Sequence, residues 1–76
     1  MPTQHELNDL IAVILEIPEG SVTDDSNLEE LGWDSLSDVT FISMVDERYG
    51  AHVDPRQLNR SETPTDLLAL LEQSAA

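Results

Sequence analysis

The 76-residue chain predicts an all-α fold: a small four-helix bundle of three main helices and one short one, with a long loop between helices one and two. Three observations predict it. Apolar residues recur at helical spacing in three stretches. Helix-start chemistry precedes each of those stretches. No segment reads convincingly as a strand. Residues 1–76 are expected to form a single domain, and a chain this short buries only about 60% of the surface its unfolded form exposes. A deep active-site cavity is therefore not expected.

The first helix opens at Thr3, where Thr3 and Glu6 make a T-x-x-E capping box. Leu7, Leu10, Ile11 and Ile14 follow as one apolar stripe, and Pro18 and Gly20 are expected to end it. The connector PEGSVTDDSNLEELGWD, residues 18–34, is long and acidic. Val22, Leu28 and Leu31 are expected to pin it to the core, with a short helical turn at Asn27 to Leu31 and a break at Gly32. The second helix starts at Asp34 or Ser35, with Asp34 as N-cap and Gly50 as C-terminal stop. Its stripe reads Leu36, Val39, Ile42, Val45 and Tyr49, with Phe41 alongside; Ser37, Asp38, Thr40, Ser43, Asp46 and Glu47 fall on the wet side. Asp54-Pro55 starts a short helix to about Arg60. Thr63-Pro64-Thr65-Asp66 starts the last one, with Pro at the first helical position and an acid three after the cap. Leu67, Leu68, Leu70 and Leu71 form its apolar face, and Gln73 to Ala76 should fray.

Charge is the strongest signal in the composition. Sixteen acidic residues face three arginines and no lysine, a formal net charge of −13. Residues 1–47 carry twelve of the acids and neither lysine nor arginine. Such a surface repels nucleic acid and anionic membranes and attracts basic protein surfaces. With no cysteine there is no disulfide framework, thiolate metal site or thiol nucleophile. The opening MPTQHELND is not a signal peptide, and the longest apolar run, Leu10 to Leu15, is far short of a membrane span. A cytoplasmic monomer is expected. Met1 and the short tail point to a free-standing protein.

Ser35 raises the question of chemistry. A nucleophilic serine needs a base in reach and an oxyanion site. The only histidines, His5 and His52, stand in no triad spacing, and D-S-L lacks the glycine-flanked elbow of serine hydrolases. No catalytic residue is assigned and no enzyme is expected. DDSNLEE, Asp24 to Glu30, fails as a calcium loop: no glycine stands sixth and no glutamate twelfth. No metal site is assigned. Taken alone, Ser35 is better explained as part of a helix start than as a modification site, although the helix dipole there favours a phosphate ester.

The motif L-G-W-D-S-L, Leu31 to Leu36, resembles the L-G-x-D-S-L signature of acyl carrier proteins. The resemblance extends over roughly residues 3–72: the amphipathic first helix, TDDSNLEELG, the mid-chain serine, DERYG, VDP and ETPTDLL. It implies a 4'-phosphopantetheine arm on Ser35, attached from coenzyme A by a phosphopantetheinyl transferase. The terminal thiol then carries an acyl group as a thioester. Asp34 would help position the transferase chemistry through its divalent metal. Leu36 would face partners rather than the core. Acyl-loading and acyl-processing enzymes with basic patches would read the second helix through Leu36, Asp38, Asp46, Glu47 and Trp33.

The chain also departs from the family pattern. Trp33 replaces a small or aliphatic residue, and its indole either meets the arm or a partner or packs on the domain edge. Ser37, Thr40, Ser43 and Arg48 replace acids or a methionine usual in fatty-acid carriers. These changes point to a specialised polyketide, hybrid or lipid-modification pathway. Two other readings stand beside this one: an aminoacyl, D-alanyl or peptidyl carrier loaded by an adenylating enzyme, and an acidic helical interaction module whose serine stays bare. Ile11, Val39, Phe41, Ile42, Val45, Val53, Leu58, Leu67 and Leu71 would line any internal cargo cleft, but they are also the residues needed to fill the core.

Overall fold

The computed structural model describes residues 2–74. Five helices follow in order: α1 (Gln4–Leu15), α2 (Leu28–Leu31), α3 (Ser35–Tyr49), α4 (Pro55–Arg60) and α5 (Pro64–Ser74). No strand occurs among the described residues. α1 packs against α5 and α3, and α4 bridges α3 and α5. The expected turn at Asn27 to Leu31 is α2, capped by the Asn27 side chain and closed by Gly32 at φ 101°. No described helix is long and apolar enough to cross a membrane.

Local chemistry sets the helix starts. The Thr3 hydroxyl accepts from the Glu6 N–H at 3.1 Å, and the Glu6 carboxylate accepts from the Thr3 N–H at 2.9 Å. The same amide holds the Glu6 carboxyl below the ordinary carboxylate range. At α5 the Asp66 carboxylate accepts from the Glu62 and Thr63 amides, which lowers its pKa. Pro64 is wholly buried at the first turn.

The first helix ends earlier than its sequence suggests. Pro18 and Gly20 do not stop it; Glu16 does, in the left-handed conformation at φ 57°. The Glu16 N–H bonds the Val13 carbonyl and the Ile17 N–H the Ala12 carbonyl, the paired closure of a Schellman motif. Glutamate is an unusual occupant of this position, since a Cβ disfavours positive φ.

The core is built from Leu7, Leu10, Ile11, Val22, Leu28, Phe41, Val45, Val53, Leu58, Leu67 and Leu71, with Leu70 at its margin. Val22 and Leu28 pin the long connector, and Leu31 packs half-buried beside them. Asp24 pins it further: its carboxylate accepts from Asn8 of α1 at 2.9 Å, and its carbonyl accepts from the Thr65 hydroxyl at 2.8 Å and the Thr65 amide at 3.1 Å. Asn8 is accordingly buried inside a helix that otherwise hides only apolar side chains.

Two assignments on α3 are corrected. Val39 is 64% exposed and does not belong to the core stripe, so it lines no interior cleft. Ser37 is buried rather than on the wet side. The stripe that packs inward is Ser37, Phe41 and Val45 at i, i+4, i+8, with Ile42 and Tyr49 half-buried beside it. Gln73 and Ser74 continue α5 instead of fraying, while Ala75 and Ala76 lie outside the described residues.

Candidate functional site

α3 begins with a reciprocal cap. The Asp34 carboxylate accepts from the Ser37 amide at 3.0 Å and the Ser37 hydroxyl at 3.1 Å, and the Ser37 oxygen accepts from the Asp34 amide at 3.3 Å. The Ser37 amide, and then its hydroxyl, hold the Asp34 carboxyl below its ordinary value. Asp34 is thus ionised and fixed one residue before Ser35. The D-x-x-S spacing was present in the sequence as a cap signal; its importance is that it makes Ser37 a support for the site rather than a solvent-facing residue.

Ser35 is the first residue of α3 and is exposed. Its hydroxyl forms no hydrogen bond among the described residues. A nucleophilic oxygen that is neither buried nor engaged is accessible to another protein. The N-terminal amides of a 15-residue helix add a local positive potential that suits a phosphate ester, offset by the adjacent Asp34 carboxylate. The residues present therefore fit attachment of a phosphate-linked group at this oxygen.

Two open grooves flank the cap. One, about 330 Å³, is lined by Ser35, Asp34, Asp38 and Trp33 on one side and by Leu28, Glu29, Leu58, Asn59 and Ser61 on the other. The other, about 370 Å³, runs between the end of α1 and the start of α3, past Ile14, Leu15, Leu36 and Thr40. Asn59 and Ser61, from α4 and its end, carried no sequence signal, because only tertiary packing brings them here beside the apolar Leu58.

The remaining candidates divide by exposure. Leu36 is 71% exposed, an apolar side chain directed away from the core. Asp46 and Glu47 are exposed further along α3. The Asp46 carboxylate lies 3.5 Å from His52 Nδ1, as Asp9 lies 3.4 Å from His5 Nε2. Asp38 and Trp33 are half-buried and paired: Trp33 Nε1 donates to Asp38 Oδ1 at 2.6 Å. The indole also meets Phe41 edge-on, with ring centroids 5.7 Å apart. Among the described residues no arginine pairs with a carboxylate, so the acids of α3 keep their field.

Comparison with known proteins places this geometry. The family model described as "phosphopantetheine attachment site" matches residues 5–71. Among solved structures, one titled "Solution Structure of Oxytetracycline Acyl Carrier Protein" superposes with a TM-score of 0.74 at 22% identity, covering 97% of this chain and 82% of that one. No curated protein sequence matches the chain. The match over residues 5–71, with the all-helical fold it accompanies, means that the chain belongs to the phosphopantetheine-attachment family and carries 4'-phosphopantetheine covalently.

Proposed function

We propose that Ser35 is the attachment residue and that the protein is an acyl carrier protein, holding acyl intermediates as thioesters for a specialised polyketide, hybrid or lipid-modification pathway. The observation that carries this reading is the exposed, unengaged Ser35 hydroxyl at the first position of α3, behind the ionised Asp34 cap. In the transfer, Ser35 Oγ forms a bond to the phosphopantetheinyl phosphorus of coenzyme A. The pyrophosphate bond breaks, adenosine 3',5'-bisphosphate leaves, and the hydroxyl proton passes to a base of the transferase. The arm then supplies a thiol on which cargo is held as a thioester.

The chain's own residues position and present. Asp34 would help hold the transferase's divalent metal. Leu36, with Trp33 and Asp38 near it and Asp46 and Glu47 further along α3, forms the surface that partner enzymes with basic patches read. Opposite charge speeds that encounter, and the apolar contact at Leu36 prolongs it. The protein works as a cytoplasmic monomer and performs no catalysis itself. The likeness to an oxytetracycline acyl carrier protein supports acyl rather than aminoacyl cargo.

The test is intact mass before and after incubation with coenzyme A, magnesium and a broad-specificity phosphopantetheinyl transferase. Wild type gains one phosphopantetheine and folded Ser35→Ala gains none. A gain by Ser35→Ala refutes the assignment. Efficient chain elongation on the loaded protein by general fatty acid synthase enzymes would refute the specialised pathway.

A further inference from the structure

Trp33 lines the groove at Ser35 and, like Leu28 and Leu58, touches the buried core. It walls that groove beside Ser35, and its ring meets Phe41, which is 0% exposed. Two independent contacts hold it there. One is the 2.6 Å hydrogen bond to a carboxylate, of the short, charge-assisted kind. The other is the edge-to-face arrangement that aromatic pairs prefer.

The walls outside the indole matter as much. Glu29, Asp34, Asp38, Asn59 and Ser61 are polar, and only Leu28 and Leu58 join Trp33 in offering apolar surface. An alkyl chain gains from leaving water only against apolar atoms. A chain tethered to Ser35 gains little in this groove, and on this side of the cap a doubly anchored indole stands between it and Phe41.

Resting on the carrier reading above, we propose that Trp33 is a specificity-determining plug: it shuts the interior to the tethered cargo, so that the protein presents acyl chains in solvent and suits short or oxygen-rich ones. Asp38 is the positioning residue that holds the plug. The pairing engages Asp38 Oδ1 and leaves Asp46 and Glu47 as the exposed acids of α3.

The experiment loads the wild-type protein directly with acyl-phosphopantetheine from acetyl-, hexanoyl- and dodecanoyl-coenzyme A, with each product confirmed by intact mass. Melting temperature and the emission of the single tryptophan are then recorded. The expected result is a melting temperature constant within about 2 °C across the series and unchanged indole emission, because no chain enters. A rise of more than about 5 °C from acetyl to dodecanoyl, with shifted emission, overturns the proposal, since a buried chain stabilises the form that holds it. In Trp33→Ala a chain-length-dependent rise is expected to appear. If that variant does not fold, the wild-type series still decides, and Asp38→Ala, which frees the indole without removing it, is expected to show a smaller rise. Failure of the arm to attach, read by mass, overturns the carrier reading and this proposal with it. An attached chain that stabilises the wild type overturns the plug alone.

Discussion

Trp33 Nε1 and Asp38 Oδ1 lie 2.6 Å apart, joining the loop before α3 to the first turn of that helix across five residues. The bond sets the indole against Phe41 and so couples the shape of the site to the core. Trp33→Ala should cost about 2–3 kcal/mol, less than a fully buried tryptophan, and Asp38→Ala about 1 kcal/mol. Urea denaturation of both single variants and the double variant checks this. The double variant should be less destabilised than the sum of the two, because either change alone breaks the shared bond.

Leu36 and Phe41 should behave as opposites. Phe41→Ala removes a wholly buried ring and should cost about 3–5 kcal/mol. Leu36→Ala removes an exposed side chain and should change stability by no more than about 0.5 kcal/mol. The Leu36 variant should nevertheless be modified several-fold more slowly by the transferase, measured as initial rates at equal enzyme concentration. A stability loss in Leu36→Ala comparable to that of Phe41→Ala would show that it packs inward after all.

Glu16→Gly should stabilise the protein by about 1 kcal/mol. Glycine removes the Cβ conflict at φ 57° and suits the closing position of the Schellman motif. It also removes a negative charge from the negative end of the α1 dipole. A rise in melting temperature confirms this; a fall would mean that Glu16 makes a contact more valuable than the relief.

Asn8→Ala should cost about 1–2 kcal/mol, because it leaves the Asp24 carboxylate without its partner on α1. Loosening should concentrate in the connector, so hydrogen exchange should rise at residues 21–27 more than in α3. Uniform protection loss throughout the chain would count against Asp24 as a local staple.

Acid should weaken the helix caps. The folded-state pKa values of Glu6, Asp34 and Asp66 all lie below the ordinary 4.5 for glutamate and 3.8 for aspartate. A depressed carboxyl contributes stability above its unfolded pKa and loses it as pH falls through the folded value. The loss should therefore begin near pH 4 and continue below it. Asp34→Asn still caps the helix but cannot titrate, so its stability should fall less steeply on the acid side, as followed by circular dichroism from pH 6 to 2. An unchanged acid limb would exclude Asp34 as a contributor.

The helix starts were legible because their causes are local. Thr3 with Glu6, Asp34, and Thr63 with Asp66 are caps whose partners lie three residues away, and each forms as its spacing suggests. The serine at the start of α3 was legible for the same reason. The buried face of α3 was not. Val45 belongs both to a stripe through Val39 and to one through Phe41, and only the packing of α1 and α4 against α3 selects the second. Asn8 with Asp24, sixteen residues apart, and Leu58, Asn59 and Ser61 beside Ser35 are likewise products of tertiary packing. Glu16 gives no stop signal in the sequence because it departs from the residue preference of its own position, and the nearby Pro18 and Gly20 carry the stronger one.

One particular oxygen, Ser35 Oγ, is proposed to carry the arm. The most direct measurement is peptide mapping by tandem mass spectrometry of the wild-type protein after treatment with transferase, coenzyme A and magnesium. The expected result is a single phosphopantetheine on the peptide that spans α2 and the start of α3, with fragment ions placing it on Ser35 and leaving Ser37 and Ser43 bare. Localisation to any other serine, or a folded protein that stays unmodified while a control carrier is loaded, would contradict it.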